Sequence, residues 1–209
     1  MQQLSCPSCG NPVPFASQAT AYAVCDACNS VVVKQGMDLQ RVGEAAALQE
    51  DGSPLQLGSS GVFQKIPFDI IGRIQVQYPF GFWNEWFAMF SNGNHGWLGE
   101  AQGNFFVSFQ TPAEKQLPTF RELSRGDRLE LGGRVYVVTQ KQQAVVLGGE
   151  GELPFLKSGY ETEVVDLRSE TTAGASLDYS ENPPLVFLGE YVDFDALALK
   201  NLRDIEGWS

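Results

Sequence analysis

Four cysteines stand as Cys6-x2-Cys9 and Cys25-x2-Cys28 with fifteen residues between the pairs, the spacing at which four thiolates close tetrahedrally around zinc. A turn-forming residue follows each second cysteine, Gly10 after Cys9 and Asn29 after Cys28, where the backbone must reverse around a metal. A redox reading would need a helix following a Cys-x-x-Cys in a strand–helix–strand setting, and neither pair is followed by a helical period. Four protein thiolates leave no open coordination position. One structural zinc per chain is therefore expected, holding the fold and not activating water.

The second cluster of uncommon residues is a hairpin. Trp83-Asn84-Glu85-Trp86-Phe87-Ala88-Met89-Phe90 is followed by Ser91-Asn92-Gly93-Asn94 and His95-Gly96-Trp97-Leu98-Gly99-Glu100. Asn-Gly favours a two-residue type I′ turn, which sets Phe90 opposite His95, Ala88 opposite Trp97 and Glu85 opposite Glu100. One side then carries Trp86, Ala88, Phe90 and Trp97 as core, the other Phe87, Met89 and Leu98 with the two carboxylates at its open end. Like charges directly opposite are unfavourable, and three arrangements would relieve them: an arginine such as Arg73 between them, a shared proton or cation, or a type I turn with a glycine bulge that shifts the register by one. His95 is the sole histidine and has no triad or metal-ligand spacing near it, so it reads first as a residue flanking a turn. Indoles such as Trp83 beside carboxylates also suit a cationic ligand. Glu85, Glu100, His95, Trp83 and Arg73 are thus the candidate ligand-binding residues, and no catalytic residue is assigned, since no phosphate loop, GxGxxG, HExxH or GxSxG is present.

The surroundings of these residues read as β structure. The 209 residues include 22 glycines and few charges, with a net charge of −11; this favours strands and tight turns over helical bundles. Residues 1–36 read as a ribbon of short strands stapled by the metal, since so short a segment cannot bury a sufficient core alone. Residues 37–53 read as a connector in which Leu39, Val42 and Ala46 suggest a turn or two of helix, and Leu55–Gly58 as an edge strand. Residues 54–209 alternate strand-like runs with turn signals every eight to twelve residues, which predicts an antiparallel sandwich or barrel; Ala196–Arg203 reads as a closing helix. Gly72–Val76 echoes Gly133–Val137, and Trp97–Glu100 echoes Val146–Gly149, which would fit two related meanders or ordinary hairpin vocabulary. Neither part is basic: residues 1–61 hold two Lys/Arg against five Asp/Glu, so nucleic acid is not an expected partner. No stretch has the length of a membrane span, and the N-terminus lacks the parts of a signal peptide. Thiolates holding zinc suit a cytoplasmic location.

Ile71-Gly72-Arg73-Ile74, Trp83-Asn84-Glu85-Trp86, Gly96-Trp97-Leu98-Gly99-Glu100-Ala101-Gln102-Gly103, Gly151-Glu152-Leu153-Pro154-Phe155 and Asn201-Leu202-Arg203 together resemble the bacterial family named domain of unknown function 4178, whose members often carry an N-terminal zinc ribbon. The resemblance implies no activity, cofactor or catalytic residue, and a setting beside polyamine-related or membrane stress proteins. Two readings follow. The first is a non-enzymatic adaptor whose zinc ribbon docks one partner and whose β-domain docks a protein or small ligand. The second is an enzyme, or a binder of polyamines or other cations, acting through Glu85 and Glu100 near His95 and the tryptophans.

Overall fold

A computed structural model describes residues 2–18, 20–113, 117–156 and 159–205. The N-terminal ribbon holds two knuckled hairpins, β1 (Gln2–Ser5) with β2 (Pro12–Phe15) and β3 (Tyr22–Val24) with β4 (Ser30–Gln35). Val13, Phe15, Ala23 and Val32 form its small core with Cys6 and Cys25. Strand β5 (Asp38–Glu44) then pairs with β4. It corrects the helical reading of Leu39, Val42 and Ala46. Backbone pairing with an already formed strand outweighs a weak three-to-four-residue apolar period.

The larger part is built from two five-strand meanders. The first is β6 (Ser60–Phe63), β7 (Ile66–Tyr78), β8 (Gly81–Phe90), β9 (His95–Ala101) and β10 (Asn104–Thr111). The second is β11 (Arg128–Leu131), β12 (Arg134–Leu153), β13 (Tyr160–Arg168), β14 (Ala173–Asp178) and β15 (Leu185–Val192). They join at two seams, β7 to β12 and β10 to β15, so that β7–β8–β9–β10–β15–β14–β13–β12 closes as an antiparallel barrel. The predicted mainly β architecture is therefore realised in its closed form, which leaves these eight strands no free edge.

The two meanders match in detail. Strands β6 and β11 each lead into a two-residue turn of positive φ, Gln64-Lys65 (48° and 68°) and Gly132-Gly133 (55° and 75°). The next strand of each bulges at the same place, between Ile70 and Gly72 against β8 and between Val138 and Gln140 against β13. The bulge switches the side-chain alternation: Ile70 and Arg73 both face outward, as do Val138 and Lys141. The sequence echo aligned Gly72 with Gly133; the structure aligns Gly72 with Gln140. The second echo is not part of the repeat, since Trp97 lies in β9 and Val146 in β12.

The outward faces bury separate cores. Phe68, Ile70, Trp86, Leu98 and Val107 lie beneath Leu55 and Leu197 on the first meander, and Val138, Val165, Leu167 and Leu177 beneath Leu123 and Leu129 on the second. Residues 54–59 cover the barrel without forming the expected edge strand. The expected closing helix is only a 3-10 turn, Phe194–Leu197, ended by Ala198 at φ 46°. Beyond it the chain folds back, the Arg203 guanidinium donating from Nε to the Leu55 carbonyl at 2.6 Å. Among the described residues no helix is long and apolar enough to cross a membrane.

The β7/β12 seam requires glycine. Gly72 pairs with Gly151, and a Cβ on Gly72 would stand 1.9 Å from the Glu152 carbonyl oxygen. That approach lets β12 bend across the barrel and continue to Ala23 and Tyr22 of β3, joining ribbon and barrel in one sheet.

Candidate functional site

The four cysteine sulfurs lie within 4.8 Å of one another. Cys6 Sγ to Cys28 Sγ is 3.7 Å and Cys9 Sγ to Cys25 Sγ is 3.6 Å, close to the ~3.8 Å edge of a tetrahedron with metal–sulfur bonds of about 2.3 Å. Equivalent turns set this geometry. Gly10 N–H donates to the Cys6 carbonyl at 2.9 Å and Asn29 N–H to the Cys25 carbonyl at 2.8 Å, with φ of 80° at Gly10 and 55° at Asn29. Burial pushes the Cys25 thiol up to about 12, while the Ser30 hydroxyl pulls Cys28 down to about 6. Four sulfurs converging at these distances form a site that could hold a metal ion. The donor set fits a divalent metal that prefers sulfur.

Cys25→Ser is expected to abolish stoichiometric metal binding and to remove amide exchange protection from β3 and β4, while the β8–β9 amides stay protected. Elemental analysis and hydrogen exchange check this. Full protection of β3 and β4 in a metal-free protein would contradict it.

The hairpin register differs from the type I′ expectation. Gly93 N–H donates to the Phe90 carbonyl and Phe90 N–H to the Asn94 carbonyl, each at 2.9 Å, with φ 86° at Gly93. This is a type I turn with a glycine bulge. Glu85 faces Gly99, Asn84 faces Glu100, and Phe87 faces Trp97. Glu85 and Glu100 thus point to opposite faces of the sheet, as do Trp86 and Trp97, and the candidate carboxylate pair does not exist.

Glu100 lies on the outer face. Its Oε2 accepts from Ser53 Oγ at 2.6 Å, Trp86 Nε1 at 2.9 Å and Asn84 Nδ2 at 3.3 Å. Arg73 sits on that face too, but not between two glutamates. Its guanidinium bonds Asp51, donates to Asn84 Oδ1 at 2.7 Å, lies 3.4 Å from Glu150 Oε1, and stacks 4.7 Å above the Trp86 ring. Glu100→Gln is expected to destabilise the fold by about 1–2 kcal/mol, since a charge-assisted acceptor for a buried indole weakens. Chemical denaturation measures this, and an unchanged midpoint would contradict it.

Glu85 lies on the inner face. Its Oε1 accepts from Trp83 Nε1 at 2.7 Å, and its carboxylate occupies space left by Gly99, where a Cβ would stand 3.4 Å from Oε2. Enclosure by the barrel raises Glu85 to about 7, with Asp166 and Asp178 adding to the rise. Asp166 of β13 also lies inside; burial raises it to about 6 against a 3.0 Å hydrogen bond from Ser176 Oγ. Asp178 accepts from the Thr162 hydroxyl and, at 2.8 Å, from Ser180 N–H.

These acids border cavity space in the barrel. One compartment of about 130 Å³ is mainly apolar, with Ile74, Val76, Trp97, Phe155 and Phe187 in its wall. The other, about 200 Å³, is more polar, with Gln102, Asn104, Gln142, Arg168 and Tyr191. Both are lined by Trp83, Glu85, Phe106 and Asp166, so the two carboxylates sit at the waist between them. Both remain in contact with cavity space although protein surrounds them, and neither makes an ion pair among the described residues.

His95 belongs to neither acid. Its ring stacks on Phe87 at 5.5 Å, and Nε2 lies 2.8 Å from Ser17 Oγ of the ribbon; burial lowers its pKa, against the pull of Glu152. Beside it, Glu152 accepts from Ala16 N–H at 2.5 Å, Ser17 N–H at 3.2 Å and Thr20 Oγ1 at 2.8 Å. The histidine read as a turn-flanking residue without partners thus helps fasten the ribbon to one end of the barrel. Of the five candidate residues, the structure brings Glu85, Trp83 and Glu100 to the wall of the more polar compartment, with the Glu100 carboxylate bonded on the outer face. Asp166 and Arg168 were missed; the signal was an acid placed between Val165 and Leu167 in a strand with both faces buried.

No curated protein and no solved structure matches the chain. Residues 56–194 match the family described as domain of unknown function (DUF4178), a span that takes in both meanders and leaves the ribbon outside. The chain belongs to that family.

Proposed function

We propose that the protein is a non-enzymatic small-ligand-binding protein whose barrel is the receptacle and whose ribbon is a module stapled by one structural zinc. The observation that carries this reading is the cavity at Glu85 and Asp166, where two enclosed carboxylates border open space, Glu85 without an ion pair among the described residues and Asp166 eased only by the charge of Arg168. A barrel that served only as a scaffold would gain stability by filling that space with apolar side chains. Pockets that mix an apolar wall with a few converging polar groups are the usual form of a ligand site. Zinc is favoured by the tetrahedral four-thiolate set, and such a centre suits the reducing cytoplasm. The adaptor half of the reading rests on β5, an outer strand of the sheet with Val42 exposed and Met37 at its start also exposed; such a strand can pair with or pack against a protein partner. The separation of Glu85, Glu100 and His95 removes the arrangement on which an enzymatic reading rested.

Protein-observed NMR with a library of a few hundred fragments tests the ligand reading. The expected result is a set of hits that shift the Trp83 and Trp97 indole signals in the parent protein and fail to do so in the cavity-filling variants Ser108→Leu and Ser176→Val. Hits that shift neither indole, or that persist unchanged in both folded variants, would overturn it.

A further inference from the structure

We infer that the barrel selects a primary monoamine carrying one apolar group about the size of a benzene ring, its ammonium held between Glu85 and Asp166 and its apolar group against Trp97 and Phe187. This inference rests on the ligand-binding reading above and specifies the ligand class.

Charge decides the head group. Glu85 Oε1 accepts from the Trp83 indole and Asp166 Oδ1 from the Ser176 hydroxyl, and both carboxylates border the cavity, where a ligand can reach them. An ammonium brings three donors and one positive charge. It would donate to both carboxylates and neutralise charge where enclosure makes a carboxylate costly. A neutral ligand leaves that charge uncompensated, and an anion adds to it.

Volume and wall chemistry decide the rest of the molecule. An apolar cavity near 150 Å³ accepts benzene, and the compartment beyond the waist is about 130 Å³ and mainly apolar, with Ile74, Val76, Trp97, Phe155 and Phe187 around it and Asp178, which accepts from the Thr162 hydroxyl and the Ser180 N–H, also in its wall. Phe155 lies 6.3 Å from Trp97, ring to ring, and is 42% exposed, so it stands at the outer end of this apolar wall. The opposite compartment carries Arg168, whose guanidinium lies 3.6 Å from the Tyr191 ring centre. A second ammonium reaching that way would meet a fixed positive charge. Arg168 on that side, and an apolar wall on the other in which Asp178 already accepts two hydrogen bonds, favour a monoamine over a diamine or polyamine.

Four probes of similar reach test this by calorimetric titration of the full-length, metal-loaded protein at pH 8: phenethylamine, phenethyl alcohol, hydrocinnamate and 1,4-diaminobutane. Phenethylamine is expected to bind at least about tenfold more tightly than each of the others, a difference of about 1.4 kcal/mol. Glu85→Gln and Asp166→Asn are expected to remove that preference while leaving phenethyl alcohol affinity unchanged. Equal or tighter binding of the alcohol or the carboxylate would overturn the cationic head group and leave the ligand-binding reading standing. Tighter binding of the diamine would overturn the monoamine assignment. If none of the four binds while the fragment library places other chemistry in the barrel, the ligand class fails alone; if the library also leaves both indoles unmoved, the reading beneath it fails with it.

Discussion

Glu85→Gln is expected to stabilise the ligand-free protein at pH 8 by up to about 3 kcal/mol and to leave it unchanged at pH 4. Enclosure raises the Glu85 carboxyl from 4.5 to about 7, and Asp166 and Asp178, which face it across the cavity from β13 and β14, add to the rise. Between those values the unfolded chain has lost the proton that the folded chain keeps. The folded state binds more protons, so stability falls as pH rises from about 4.5 through about 7 and is level above it. A shift of this size corresponds to about 3 kcal/mol as an upper bound, because water in the cavity screens the charge. Asp166, raised from 3.8 to about 6, adds a fall of the same sign in a lower window. Gln keeps the Trp83 hydrogen bond without the charge, so the variant should lose the Glu85 part of the slope. Urea denaturation of both proteins at pH 4 and pH 8 measures it. A variant less stable than the parent at pH 8 would show that an unseen cation compensates Glu85 in the folded state.

Arg73→Met is expected to cost about 3–5 kcal/mol at neutral pH, the usual scale for removing one partner of a buried ion pair. Arg73 is 4% exposed, and its partner Asp51 is also buried. Asp51 would keep Arg203 at 3.2 Å, the Asn84 amide at 3.1 Å and the Ser53 N–H at 3.2 Å. The segment through Asp51 and Ser53 is what presses Leu55 onto the outer core, so the loss should extend beyond the pair itself. Asp51→Asn should behave similarly, and a double variant should cost much less than the two single costs together. Additive losses would contradict a shared network.

These two residues show how far the sequence carried the account. The ribbon was legible because its information is local: cysteine spacing, with Gly10 and Asn29 where φ must be positive. The hairpin was legible as a hairpin but not in register. Asn92-Gly93 serves a type I′ turn and a type I turn with a bulge equally well; in the structure Ser91 N–H also donates to the Pro67 carbonyl of β7 at 2.9 Å, a contact that local spacing does not reveal. One residue of slip moved Glu100 off the face of Glu85 and Trp97 off the face of Trp86. The barrel could not be read as closed because both seams join strands distant in sequence, and the echo of Gly72 with Gly133 hid a repeat that is carried by turn geometry and bulge position. Asp166 was invisible as a partner of Glu85 until β8 and β13 were placed on opposite sides of one cavity. Connector residues 37–53 failed as a helix because β4 offered β5 a ladder.

On the proposed reading the barrel interior is a ligand site and not a packing defect. A crystallographic fragment screen of the zinc-loaded protein tests it most directly. The expected result is bound fragments inside the barrel, their nitrogen atoms within hydrogen-bonding distance of Glu85 and Asp166 and their apolar parts against Trp97 and Phe187. A screen in which fragments bind elsewhere on the protein while the interior stays closed by its own side chains would contradict it.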